Sequence, residues 1–156
     1  MPDEALLVGI ATVAVVVAGF AAIAPGLAAD GSYWTPGRRI RLRAIVSTSF
    51  NVTFESLLPA VIFPALDDDR ATLVIASALV FAYLLVVITV RFRQMQRAGA
   101  LRGRSTKVLV AAGPLATALF GLNALVLVSL TVYSLALCIQ LSVAAISFYS
   151  LLAESE

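Results

Sequence analysis

The sequence predicts an all-α fold, a polytopic transmembrane helix bundle of five spans forming one integral membrane domain over residues 1–156, and three observations predict it. Of the 156 residues 61% are hydrophobic and 13% charged, where a water-soluble domain carries roughly 25% charge. Mean hydropathy is +1.00. The charges are also segregated: the stretches 5–29, 44–66, 71–90 and 108–153 hold a single acid, Glu55, and all 11 Lys and Arg lie outside them.

Each span follows from length. A hydrocarbon core about 30 Å thick needs roughly 20 apolar residues in a helix, and in lipid the backbone must satisfy its own hydrogen bonds. The first three stretches give spans at about 5–27, 44–66 and 71–90. The fourth, between Lys107 and Glu154, would be about 69 Å long as one helix, more than twice that thickness. It is therefore expected to fold back, as spans at about 108–127 and 132–152 joined by a tight connection at 128–131. That connection places Ser129, Thr131 and Tyr133 at a membrane interface. A break at Gly121-Leu122-Asn123 has better turn chemistry, and it would make the segment before it re-entrant and the protein four-spanning.

The first stretch could be taken for a cleaved signal, because Gly26-Leu27-Ala28 offers small residues of the kind a cleavage site prefers. Its start is acidic, Met1-Pro2-Asp3-Glu4, and its apolar run exceeds the usual ~7 to 15 residues, so it reads as a retained span.

Orientation comes from the basic residues. Arg38, Arg39, Arg41 and Arg43 follow the first span, Arg70 alone follows the second, and Arg91, Arg93, Arg97, Arg102, Arg104 and Lys107 follow the third. Cytoplasmic loops carry the basic excess. The expected topology in the cell membrane therefore has the N-terminus outside, the basic loops cytoplasmic and the Asp67-Asp68-Asp69 turn outside. The two basic clusters, with Trp34 beside them, are expected to meet anionic phospholipid headgroups, the arginines snorkelling along their stems. This accounts for a net charge of +2 without a nucleic-acid partner.

One position carries chemistry. Glu55 is central in its apolar stretch, close to the bilayer midplane, where a charged side chain costs about 2.5 to 3.5 kcal/mol on insertion scales and where such residues mark ion or proton paths. Thr48, Asn51 and Glu55 share a helix face by their spacing. Pro59 lacks the N–H that would bond the carbonyl of Glu55, so a carboxyl and a freed backbone carbonyl occur together. Pro64 repeats the effect on Ala60, and the two prolines predict a kinked outer half. Depth along antiparallel helices brings Ser77, Tyr83 and Gln140 near the same level, and Glu55 is expected to hydrogen-bond Gln140 or Tyr83. The ion or proton site expected from the sequence is thus Glu55, Asn51, Thr48, Gln140 and Tyr83. The competing expectation is plainer: the same polar groups hold helices together at about 0.6 to 2 kcal/mol per bond.

Small residues recur every four positions at Ala14, Ala18 and Ala22 and at Ser134, Cys138 and Ser142, and Ser49, Thr53, Ser56 and Ala60 form a similar edge, predicting close helix approaches within one chain or between copies in a homo-oligomer.

Other chemistry is not expected. There is no His, and Cys138 is the single cysteine, so no zinc site, disulfide framework or Cys–His nucleophile can be assembled. Phosphate-loop, dinucleotide, zinc-protease and hydrolase motifs are missing, and one mid-membrane acid is too few for an aspartyl pair. The expectation is a non-enzyme without cofactor or metal. A small polytopic chain with one intramembrane Glu resembles in that feature the small multidrug resistance exporters, four-helix dimers that use a Glu for proton coupling. In that family the acid lies in the first helix whereas Glu55 lies in the second, and no site residues carry over. Two functions are therefore expected: a proton- or cation-handling pore or carrier centred on Glu55, or a noncatalytic membrane scaffold that binds a partner subunit.

Overall fold

The computed structural model describes residues 4–27, 36–97 and 104–153, and every element in them is helical. The helices are α1 (Glu4–Leu27), α2 (Pro36–Leu66), α3 (Asp69–Arg97), α4 (Arg104–Leu122), which continues into a π-helical turn (Asn123–Leu127), and α5 (Leu130–Ala153). Four segments are long and apolar enough to cross a membrane: Glu4–Ile23, Arg41–Leu66, Asp69–Val90 and Leu130–Leu151. The apolar run of α4 with its π turn, Gly113–Leu127, is shorter.

The long C-terminal stretch does fold back, at Val128–Ser129 rather than at Gly121-Leu122-Asn123. The turn-prone tripeptide is absorbed into helix. Asn123 instead closes the reversal from inside: its carbonyl accepts from Val128 N at 3.0 Å, its Oδ1 accepts from Ser129 N at 2.8 Å, and its Nδ2 donates to Ser77 Oγ on α3 at 2.9 Å. A buried Asn123 thus ties the π turn, the start of α5 and α3 together.

Val128 bears the cost of this turn, with φ 41° and ψ 54°. The left-handed region crowds the Cβ of a β-branched residue by roughly 1 to 2 kcal/mol, and glycine escapes that penalty. Val128→Gly is expected to stabilise the protein by about 1 kcal/mol after the larger entropy of the unfolded glycine chain is subtracted. Denaturant unfolding in detergent micelles measures it, and an unchanged or lower midpoint would show that the turn is not strained.

The other described reversal joins α2 to α3. Asp67 takes the left-handed conformation at φ 51°, which aspartate tolerates better than most, and its N–H donates to Phe63 O at 2.9 Å. Asp68 then caps α3, its Oδ1 accepting from Arg70 N at 2.8 Å and Ala71 N at 3.2 Å.

Among the described residues α2 packs against α1, α3 and α5, while α4 bridges α3 and α5 and α1 lies along α2 and α5. One core joins Leu7, Ile10 and Ala14 of α1 to Val52, Val80, Phe120 and Tyr133; a second joins Ala21, Ile45, Ala144 and Leu151. The second unites the end of α1, the start of α2 and the end of α5, so α1 and α5 run parallel and α2 antiparallel to both.

Two small-residue seams are redrawn. Ala14 and Ala18 are buried, yet Ala22 is exposed and Ala11 and Ala21 complete the seam, because 3.6 residues per turn alternates spacings of three and four. On α5 Ser134 is buried but Cys138 and Ser142 face outward; the packed face is Tyr133, Ala136, Leu137, Gln140 and Ala144. Tyr133 is correspondingly no interface residue: it is fully buried. At Gly121 a Cβ would lie 2.9 Å from the Phe81 ring, so the missing side chain lets α4 approach α3 closely.

Hydroxyls in these helices fold onto their own backbone. Thr12, Thr53, Ser56, Thr89 and Thr117 each donate to the carbonyl four residues earlier, which satisfies each hydroxyl within its own helix. Large apolar side chains such as Phe20, Val61, Val86 and Leu125 cover the outside, an exterior suited to hydrocarbon rather than water.

Candidate functional site

Glu55 is 4% exposed and sits where α2 meets α5 and α3. Two groups of α5 reach it. Gln140 Nε2 donates to Glu55 Oε2 at 2.6 Å. The Tyr133 hydroxyl donates to the backbone carbonyl of Glu55, also at 2.6 Å. That carbonyl is the one Pro59 leaves without a helical partner, and Pro59 is itself fully buried. The two α5 residues are seven apart, two helical turns, and therefore share a face.

Tyr133 is in turn fixed by packing. Its ring meets Phe120 edge to face, with centroids 5.1 Å apart and planes at 79°, a favoured aromatic geometry. Both side chains are fully buried. The hydroxyl thus has a fixed bearing on α2.

The other carboxyl oxygen is different: Oε1 is buried and has no hydrogen-bond partner among the described residues. A groove of about 360 Å³ between α2 and α3 has Glu55 among its lining residues. Asn51, Phe54, Glu55 and Leu58 line one wall, and Leu79, Val80 and Tyr83 the other. Phe54, Leu79 and Tyr83 are also on the bundle's exposed surface, so the groove opens sideways. Across it the Tyr83 hydroxyl donates to Asn51 Oδ1 at 3.0 Å.

No protein-family model, curated protein or solved structure matches this chain.

Of the residues expected to assemble, Glu55 and Gln140 pair directly, and Asn51 and Tyr83 line the same groove as Glu55. Tyr83 does not bond Glu55. It bonds Asn51, because α3 runs against α2 and a step along α3 toward its C-terminus is a step back along α2. Thr48 is half-buried, two turns from Glu55, and lies outside the groove lining. α2 runs as one helix through Pro59 and Pro64. Ser77 is not a partner of the carboxyl; it accepts from Asn123.

Among the basic residues Arg39, Arg41, Arg43 and Arg93 are exposed at helix ends. Trp34 and Arg102 lie outside the described residues, as does Tyr33. Arg38, Arg91, Arg97, Arg104 and Lys107 fall within helices.

Sequence reasoning missed Tyr133 and Asn123. The signal for Tyr133 was present in part: a helix with a freed carbonyl needs a donor, and the apolar stretches hold few phenols. Nothing in the sequence chose Tyr133 over Tyr83.

Proposed function

We propose that this protein is a five-span cell-membrane protein that loads and releases a proton at Glu55, as a pore or carrier and not as an enzyme. The supporting observation is the asymmetry of the carboxyl group: Oε2 is held by Gln140, the buried Oε1 has no hydrogen-bond partner among the described residues, and Glu55 helps to line a groove that opens sideways. An acid fixed at one oxygen and unengaged at the other has a place for a proton to arrive and leave. A metal cation is less well served, since Tyr133 already occupies the carbonyl that Pro59 frees.

The fifth span in this reading is the helical run from Arg104 to Leu127, about 36 Å long at 1.5 Å per residue. The basic residues set the N-terminus outside, and their exposed members meet anionic headgroups. A homo-oligomer would cover the α2–α3 groove from the side.

The test is proton uptake by reconstituted vesicles. Glu55→Gln keeps the side-chain volume and removes the titratable proton, and uptake is expected to fall about a hundredfold, the lower range for loss of an acid–base group. Glu55→Asp should recover part of it. Undiminished uptake in folded Glu55→Gln protein would overturn the proposal.

A second reading, a noncatalytic scaffold or partner subunit, is favoured by one feature: both polar contacts of Glu55 join α2 to α5, as expected of groups that only hold helices together. Wild-type vesicles without proton flux, together with a crosslinked partner protein other than itself, would select it.

A further inference from the structure

Within a helix nearly every backbone carbonyl is taken by the N–H four residues on, so a neighbouring helix has little backbone to grip. Proline makes the exception. Pro59 leaves one acceptor open on α2, the carbonyl of Glu55, and the Tyr133 hydroxyl of α5 donates to it at 2.6 Å. Seven residues further along α5, Gln140 Nε2 donates to Oε2 of the same Glu55, also at 2.6 Å. One residue of α2 is therefore held by α5 at two points, its backbone and its side chain.

The two points are not equivalent. The carboxyl stands at the end of a side chain with several rotatable bonds and can follow a flexible glutamine, so this bond alone does not fix how far α5 has slid along α2. A backbone carbonyl cannot follow. The group that grips it is equally constrained, because Tyr133 is fully buried and its ring is braced edge to face by the fully buried Phe120, with centroids 5.1 Å apart. A slide of α5 by one turn, about 5.4 Å, would break the Tyr133 bond. It would also carry the Gln140 amide away from the carboxyl.

We propose that Tyr133 is the positioning residue of the Glu55 site: by docking on the carbonyl that Pro59 opens, it sets the register of α5 on α2 that brings Gln140 to Oε2. Phe120 acts through Tyr133 by bracing its ring. The consequence for proton movement rests on the reading of Glu55 as a proton site, whereas the docking itself does not.

The contact between Gln140 and Glu55 reads the register directly. In protein reconstituted in lipid, with nitrogen-15 in glutamine side chains and carbon-13 in glutamate carboxyls, magic-angle-spinning NMR detects the Nε2–carboxyl pair as a dipolar cross-peak. Its loss in Gln140→Leu assigns it.

The wild type should show the full cross-peak. In Tyr133→Phe the anchor is gone, and the cross-peak should weaken about fivefold, the factor that one net hydrogen bond corresponds to, with proton uptake falling by a similar factor. Pro59→Ala combined with Tyr133→Phe separates positioning from mere satisfaction of a buried carbonyl. There the restored N–H of residue 59 bonds the carbonyl within α2, so stability should return while the cross-peak and uptake stay low. Phe120→Leu keeps the hydroxyl and loosens its ring, and its cross-peak should be intermediate; with the double variant it decides the matter if Tyr133→Phe does not fold.

A full cross-peak in folded Tyr133→Phe, or in Phe120→Leu, would overturn the assignment. Its return in the double variant would do the same, by showing that Tyr133 only satisfies a carbonyl. A weakened cross-peak with undiminished uptake, where Glu55→Gln does abolish uptake, would remove Tyr133 from the function. If Glu55→Gln leaves uptake intact, the proton reading falls and the cross-peak still decides the docking.

Discussion

Asn123→Ala is expected to lower stability by about 2 to 3 kcal/mol, the largest effect of any single polar truncation in the bundle. The substitution removes two side-chain hydrogen bonds, one to Ser77 Oγ and one from Ser129 N. Interhelical bonds between membrane helices are worth about 0.6 to 1.7 kcal/mol each, and the groups left behind add a desolvation cost of about 1 to 3 kcal/mol where no water replaces the partner. Asn123 and Ser77 are both fully buried, so water has poor access. The loss should also be local in character: Asn123 holds the reversal between the π turn and α5, and amide exchange should accelerate first at residues 123–133. A loss below about 0.5 kcal/mol, within the range of a neutral surface change, would mean that the reversal is held by packing alone. Ser77→Ala, which removes only one of the two bonds, should cost about half as much.

Gln140→Leu is the second. It leaves Glu55 Oε2 without its donor while Oε1 is already unpartnered, so the buried carboxyl would keep no side-chain bond at all. The expected cost is about 1 to 3 kcal/mol. The physical signature lies in the pair rather than the single change: replacing one partner strands the other, whereas replacing both by apolar groups of similar shape is close to neutral. Glu55→Leu with Gln140→Leu should therefore recover most of the stability lost in Gln140→Leu, and this double variant should have no proton uptake. Stability recovered with function lost would separate the helix-joining role of the bond from the chemistry proposed for the acid. If the double variant is as unstable as Gln140→Leu, the bond is not what the single change removed.

The unevenness of what the sequence revealed has specific causes. The pairing of Glu55 with Gln140 could be anticipated from depth alone, since a helix rises a fixed 1.5 Å per residue and antiparallel neighbours can be laid side by side. Depth narrows partners to a level and cannot choose among helices at that level. This is why Tyr83 was expected beside Glu55 and stands instead one turn away on Asn51, and why Tyr133, placed near a surface by its position in the chain, turns inward. Rotation about the helix axis decides such matters, and in a chain apolar on nearly every face there is little amphipathic contrast to reveal it. The same weakness misplaced Ala22, Cys138 and Ser142, whose spacing is right for a seam but whose side chains face outward.

What the sequence determined by itself is what length and solvation fix: helices in every described segment, most of their ends to within four residues although α2 starts eight residues before its expected span and α3 ends seven after it, the fold-back of the long apolar stretch, and the single costly carboxyl among them. These follow from one-dimensional quantities, the count of apolar residues and the placement of charge. The tertiary structure alone decided which oxygen of Glu55 is held, that a phenol from α5 replaces the amide Pro59 lacks, and that Asn123 sits inside a turn rather than breaking a helix. Those depend on azimuth and on contacts between residues 78 and 85 positions apart, which pairwise packing sets and composition does not record.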